Sequence, residues 1–353
     1  MLPFQLGVIE GFYGRQWSWP QRQSLPKRLA DWGYSAYIYA PKGDSSLRSR
    51  WREDFDAGHF ARLRSLSESA REAGIGWGVG LSPAGLQAHF TEADGSDLRR
   101  KLQQIKALWP SQLWILFDDL PAGVPELAVS QLRVVDAVRQ VLPDTPLAIC
   151  PSYYSEDPIL ESLFGDCPKD YFATLNEGLS EDVDILWTGP RVITTAYDAD
   201  DMHRAASILG RRPLLWDNYP VNDGKKSSRF LNTLPFSGRP SSLKTLASGH
   251  FVNPMNQFHL SLLPLMGLAS VYAGETIAQD SIFKAALGSL PEDLAQLLAE
   301  YAPMFQNEGL DGMPAALKAA IASRCDRIAH PAAGELAAWL REEYRFDPDC
   351  LTE

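Results

Sequence analysis

The stretch Trp114-Ile115-Leu116-Phe117-Asp118-Asp119-Leu120 decides the fold. Four large apolar residues run directly into two adjacent carboxylates. A continuous apolar run of this length reads as a strand buried on both faces, the signature of a parallel sheet covered by helices. A lone carboxylate is too costly to bury in such a core. The two acids therefore belong at the C-terminal end of the strand, where parallel α/β folds and barrels do their chemistry. The plain alternative is an Asp pair that caps a turn, and the rest of the chain weighs against it.

Working outward, seven further strand-like runs lie at residues 6–9, 36–40, 75–81, 146–150, 184–187, 213–216 and 250–253, with the opening run itself at 113–117. Helical periodicity falls between most of them, at 21–32, 60–72, 96–108, 126–142, 171–179 and 202–209, and again after the last at 257–272. Eight strand-like runs over about 275 residues, most of them separated by helical segments, are the pattern of a (β/α)8 TIM barrel. Beyond Gly274 the chain becomes rich in Ala and Leu, with helical stretches at 282–287, 294–301, 313–322 and 334–344. The expected organisation is a catalytic barrel over residues 1–275 and a C-terminal helical extension over 276–353. The extension either packs on the barrel flank or makes a homodimer contact, and the sequence leaves both open.

Composition sets outer limits. Of 353 residues, 45% are hydrophobic and 22% charged, as in ordinary globular proteins. The formal net charge of -11 argues against non-specific binding to nucleic acid or an anionic membrane. No apolar run approaches the roughly 20 residues of a membrane helix. The N-terminus has no basic segment followed by an apolar one, so a secretory signal is not expected. Cys150, Cys167, Cys325 and Cys350 lack metal-ligand spacing. The expectation is a cytoplasmic protein with reduced thiols, no metal and no cofactor.

The ends of the strand-like runs deliver Gly11, Lys42, Asp118, Asp119, Tyr154, Thr188, Trp216, Asn218, Asp223 and Asn253 to one face. Individually each has an ordinary reading: Asn218 and Asp223 as turn residues, Tyr154 and Trp216 as core. Jointly the set is rich in hydrogen-bonding groups and aromatics, which suits a sugar. Aromatic faces pack on pyranose C–H surfaces, and Asp and Asn make paired hydrogen bonds to neighbouring hydroxyls. Histidine is scarce, at six residues, and no GxGxxG follows the first strand, which disfavours a dinucleotide-dependent redox enzyme. Adjacent residues on a continuing strand face opposite sides. Where the strand ends, Asp118 and Asp119 can both reach one ligand. One protonated and one ionised acid is the division of labour that glycoside cleavage requires.

Gly7-Val-Ile-Glu-Gly-Phe-Tyr-Gly-Arg15, Tyr39-Ala-Pro-Lys42, Trp51-Arg-Glu53, Phe117-Asp-Asp119, Cys150-Pro151, Leu186-Trp-Thr-Gly-Pro190, Trp216-Asp-Asn218, Asn222-Asp223 and Asn253-Pro254 together resemble glycoside hydrolase family 84. These are β-N-acetylglucosaminidases that include the O-GlcNAcases. The resemblance covers about residues 5–275. It implies a retaining, substrate-assisted mechanism through an oxazoline. Asp118 would polarise the acetamido N–H, and Asp119 would be the general acid and then the base. Gly11, Lys42, Asn218, Asp223 and Asn253 would hold sugar hydroxyls and the acetamido oxygen, with Asp223 on the 4- and 6-hydroxyls. Tyr154 would bond near the acetamido group, and Trp216, Cys150 and Thr188 would line the pocket around the acetyl methyl. The implied partner is a GlcNAc-bearing glycoconjugate: a protein carrying the sugar on Ser or Thr, or a cell-wall or chitin-type oligosaccharide. A barrel that binds GlcNAc without hydrolysis is the alternative from another class. The chain departs from the family in Cys150-Pro-Ser-Tyr-Tyr154, often Cys-Pro-Thr-Glu-Tyr, and in Pro41-Lys-Gly-Asp44, often Pro-Lys-Asp-Asp. Both changes bear on the aglycone side.

Overall fold

The computed structural model describes residues 4–273, 278–344 and 346. Eight parallel strands close into a barrel in sequence order: β1 (Gln5–Glu10), β2 (Ala36–Tyr39), β3 (Gly76–Leu81), β4 (Gln112–Leu116), β5 (Leu147–Cys150), β6 (Val183–Trp187), β7 (Leu214–Asp217) and β8 (Gly249–Val252). The ring is sealed by β1 against β8, with Gly7 opposite Phe251. Strand β4 is buried along its whole length, as a run with no polar alternation requires.

The barrel interior is filled by a column of rings. Trp114 of β4 packs edge-on against Phe251 of β8, with centroids 4.7 Å apart, and Trp216 of β7 lies 6.4 Å from Trp114. Small residues opposite make the room. A Cβ on Gly7 would sit 2.2 Å from the Phe251 ring, and one on Gly11 would sit 2.5 Å from the Trp216 indole. Each such ring removes roughly 150–250 Å² from water, about 4–6 kcal/mol gross before conformational entropy is counted.

The outer layer is α1 (Trp19–Asp31), α2 (Ala57–Glu72), α3 (Glu92–Lys106), α4 (Leu127–Val141), α5 (Ile159–Phe164), α6 (Tyr171–Gly178), α7 (Ala199–Leu209), α8 (Leu243–Leu246) and α9 (Phe258–Tyr272). Helices α3 and α7 begin four and three residues before the apolar periodicity does. Their first turns are polar and are set by capping boxes, Thr91 with Asp94 at α3 and Asp198 with Asp201 at α7. The six-residue α5 is too short to show a period, and the helix between β7 and β8 shrinks to the four residues of α8. Strand β7 runs one residue further than the sequence reading placed it. Its last residue, Asp217, is fully buried.

The extension comprises α10 (Gln279–Leu287), α11 (Glu292–Asn307), α12 (Gly309–Gly312), α13 (Ala315–Cys325) and α14 (Pro331–Leu340). Its apolar faces form a second core with Leu231, Met255, Leu260 and Leu263 of the barrel, so it packs on the barrel flank. Glu335 of α14 caps α9 from a distance, accepting the backbone N–H groups of His259 at 3.1 Å and Leu260 at 3.0 Å. The expected boundary at 275/276 and Cys350 lie outside the described residues. Cys150, Cys167 and Cys325 are free thiols. No helix among the described residues is long and apolar enough to cross a membrane.

Candidate active site

A cavity of about 150 Å³ opens at the C-terminal mouth of the barrel. At roughly 10–15 Å³ per water position it has space on the order of one monosaccharide. All eleven residues singled out from the sequence line it: Gly11, Lys42, Asp118, Asp119, Cys150, Tyr154, Thr188, Trp216, Asn218, Asp223 and Asn253. So do Tyr13, Val192, Ile193 and Val221, which the sequence reading did not single out. Among the described residues, the end of β3 supplies nothing to this lining.

Asp118 and Asp119 follow β4 after Phe117, and their backbones diverge. Asp119 adopts a left-handed conformation with φ of 57°, which short polar side chains tolerate better than others. This breaks the strand alternation and gives the two carboxylates different surroundings. Asp118 is buried and ion-paired to the Lys42 ammonium. Its other oxygen, Oδ1, is also buried and finds no hydrogen-bond donor among the described residues. Asp119 is more exposed and accepts two phenol hydroxyls, Tyr13 at Oδ2 and Tyr154 at Oδ1, each at 2.9 Å. Burial, then the adjacent Asp119 charge, pushes both phenols well above their ordinary pKa, so they remain O–H donors. Arg48 steadies the turn by donating to the Asp119 carbonyl at 3.1 Å.

A second wall is an amide chain. The Gly11 N–H donates to Asn253 Oδ1 at 3.2 Å, Asn253 Nδ2 donates to Asn218 Oδ1 at 3.1 Å, and the same oxygen accepts the Trp216 indole N–H at 2.9 Å. Asn218 Nδ2 then reaches the Val192 carbonyl at 2.9 Å. The Trp216 face also receives the Lys42 ammonium, 5.6 Å from its ring centroid. Asp223 sits on the loop after β7 and accepts the Tyr13 backbone N–H at 2.7 Å. Desolvation pushes its carboxyl up to about 6, against the pull of that backbone donor.

Behind this wall Asp217 is held by Arg239 in a two-pronged ion pair at 2.7 and 2.8 Å and by His250 at 2.9 Å. Burial works to raise the Asp217 carboxyl, but Arg239 overcomes it and holds the group below the usual range. Arg239 also donates to the carbonyls of Thr194 and Thr195, which ties β7 to the loop carrying Val192 and Ile193. His250, on β8 and fully buried, belongs to this cluster and not to the mouth.

The family departures lie outside the cavity lining. Ser152 is buried, accepts from Gln131 at 2.8 Å and donates to the Phe117 carbonyl at 3.3 Å, just before the acids. Tyr153 donates to the Gly165 carbonyl at 2.7 Å. At Gly43 a Cβ would meet the Gln16 amide at 2.7 Å. Among the described residues no group of three His, Cys, Asp or Glu side chains is placed to hold a metal ion.

Comparison with known proteins gives a consistent picture. The sequence pattern of the NAGidase family, described as beta-N-acetylglucosaminidase, matches residues 6–299. Protein O-GlcNAcase of Rattus norvegicus is 32% identical over 280 residues, which cover 76% of this chain and 30% of that protein. Protein O-GlcNAcase of Mus musculus is 31% identical over 280 residues, with the same coverage of 76% and 30%. The chain thus spans about a third of the length of the curated relatives it matches. A solved structure of a mutant Thermobaculum terrenum O-GlcNAc hydrolase has the same fold, with a TM-score of 0.77 at 24% identity over 96% of this chain and 81% of that one.

Proposed function

The chain belongs to the β-N-acetylglucosaminidases of glycoside hydrolase family 84, and from that premise we propose that it is a retaining exo-β-N-acetylglucosaminidase using the substrate's own acetamido group. The observation that carries this is the unequal treatment of the adjacent acids. Asp118 pairs with Lys42 yet keeps a buried oxygen with no donor among the described residues, while Asp119 sits nearer the opening between two phenols. A buried acceptor without a partner costs about 1–3 kcal/mol, and an acetamido N–H supplies the missing donor.

In this reading the acetamido oxygen attacks the anomeric carbon as the glycosidic C–O bond breaks. Asp119 gives its proton to the leaving oxygen. Asp118 accepts the amide N–H and so favours the oxazoline. Asp119, now a carboxylate, takes a proton from water, and the water oxygen opens the oxazoline at the same carbon, which returns the β configuration. A phenol can donate or accept, so Tyr13 and Tyr154 can follow Asp119 through both protonation states. Asn218, Asp223 and Asn253 supply the polar groups that sugar hydroxyls need. Cys150, buried and with its thiol pKa pushed up by desolvation, suits the role of an apolar wall near the acetyl methyl.

For the aglycone we propose a polypeptide carrying O-linked GlcNAc. Two features support it: the curated relatives are protein O-GlcNAcases, and the cavity lining includes Ile193, 55% exposed. An exposed aliphatic side chain offers a peptide apolar contact but gives a second sugar no hydrogen bond.

The test is hydrolysis of an aryl β-N-acetylglucosaminide, with the product anomer read by NMR, for the wild type and for Asp118→Asn and Asp119→Asn. Release of the β anomer and a loss of turnover by orders of magnitude in both folded variants is expected. Full activity in either variant, or an α product, would overturn the mechanism. Binding of an oxazoline-mimicking thiazoline without turnover would favour a silent sugar-binding barrel. Cleavage of chitobiose in preference to a glycopeptide would overturn the polypeptide aglycone.

A further inference from the structure

We propose that the C-terminal helical extension is a working part of the sugar pocket: it fixes the loop that carries Asp223, with Trp339 as the positioning residue. The inference rests on the reading above, in which Asp223 binds sugar hydroxyls.

Residues 218–231 leave β7 and supply Asn218, Val221 and Asp223 to the cavity. Apart from one short turn, Ser227–Arg229, this segment has no regular structure. Its course is therefore set by what it is tied to. On the inner side the Tyr13 N–H holds Asp223, and the buried Asn222 side chain donates to the Phe230 carbonyl and to Gln257 Oε1, both at 3.0 Å. On the outer side Asn232 donates to the Pro220 carbonyl at 3.0 Å, and the extension supplies a further set of ties. Trp339 of α14, fully buried, donates its indole N–H to the Ser228 carbonyl at 3.1 Å. Arg229 is clamped between Asp311 at 2.5 Å and Glu342 at 2.8 Å. The Leu231 N–H donates to the Phe305 carbonyl at 3.2 Å, and the Tyr219 hydroxyl, which donates to the Leu234 carbonyl at 2.6 Å, lies 3.1 Å from Gln306 Oε1.

The fit is close. Gly309 has φ of 64°, and a Cβ there would lie 2.7 Å from the Arg229 carbonyl. Between the two sets of ties only Lys225 and Lys226 are exposed. Asp223 is thus suspended between Tyr13 on one side and Ser228, five residues on, at the other. A slack outer tie lets the carboxylate drift, and a misplacement of about 1 Å at a positioning group can cost up to 10²-fold. The loop is linked to the acid pair after β4 through Tyr13, on the inner side, whereas the outer ties act on the Asp223 segment directly, so the loss should fall mainly on binding.

The experiment is a double-mutant cycle on the full chain: wild type, Trp339→Phe, Asp223→Asn and the double variant, with kcat and KM measured on an aryl β-N-acetylglucosaminide. Trp339→Phe removes the indole N–H and keeps a ring in the core. KM is expected to rise about three- to tenfold in it, the effect of one hydrogen bond, with kcat within twofold. In the Asp223→Asn background the same change is expected to add nothing to KM. If Trp339→Phe fails to fold, Arg229→Gln, a change outside the core at a side chain 25% exposed, should raise KM in the same way, and an unchanged KM in it would overturn the inference. Multiplicative effects in the cycle, or an unchanged KM in a folded Trp339→Phe, would overturn the inference and leave the function standing. An unchanged KM in Asp223→Asn would overturn the role of Asp223 and the inference with it.

Discussion

Tyr13 joins the two ends of the pocket: its hydroxyl donates to Asp119 at 2.9 Å while its own backbone N–H donates to Asp223 at 2.7 Å. One residue of the first βα loop thus touches both the proposed acid and the proposed hydroxyl-binding carboxylate. Tyr13→Phe separates the two contacts, because the backbone N–H survives. A hydrogen bond to a charged group contributes about 1.5–3 kcal/mol, so kcat should fall about 10- to 100-fold with KM little changed. Steady-state kinetics on an aryl glycoside check this, and an equal rise in KM would show that the phenol also places Asp223.

Lys42→Met should hurt stability and activity together. It strands the Asp118 carboxylate in a site where both partners are buried. Breaking such a pair costs roughly 3–5 kcal/mol, and the open cavity beside Asp118 places the loss at the lower end. Urea denaturation should show it. The double variant Lys42→Met/Asp118→Leu should regain most of the stability and none of the turnover.

Asp223 should impose a pH dependence on substrate binding. With its carboxyl raised to about 6, it is protonated below that pH and offers hydroxyl donors fewer acceptors. KM should rise as pH falls through about 6, and Asp223→Asn should raise KM and flatten this dependence. The stability effect has the opposite sense. The folded-state value lies above the unfolded one, so between about 4 and 6 the folded state holds the extra proton and stability declines as pH rises. Asp223→Asn should remove that decline, which thermal melts across this window would show.

Gly11→Ala should close the pocket from below. Its Cβ would fall 2.5 Å from the Trp216 indole, whose N–H orients Asn218. Overpacking of this kind costs about 1–3 kcal/mol. Displacing Asn218 should also raise KM by about an order of magnitude. A folded variant with wild-type KM would mean that the indole moves without carrying Asn218 along.

The barrel was legible because its determinants are local. Runs such as 113–117 read as strands buried on both faces, and the acids that follow need either the mouth or a paired charge, which Lys42 gives Asp118. Asp118, Asp119, Lys42, Asn218 and Asn253 follow such runs, and all line one cavity. Tyr13 is not legible in this way, because a tyrosine in a Gly-flanked turn looks like any packed aromatic until Asp119 and Asp223, 106 and 210 residues away, are brought beside it. Asp217 looks like the start of a loop, because nothing near it announces Arg239 and His250 as partners for a fully buried charge.

The amino-acid order by itself therefore determined the succession of eight strands, the end of the barrel at which polar groups gather, and the place of the two adjacent acids there. Periodicity and the cost of burying charge act within a few residues and need no knowledge of distant contacts. Tertiary structure alone decided which phenols hold Asp119, which oxygen of Asp118 stays open, and that the extension grips the Asp223 loop through Trp339 and Arg229. Those depend on closing the barrel and docking helices from the far end of the chain, and no local pattern records which side chains such closure brings within hydrogen-bond distance.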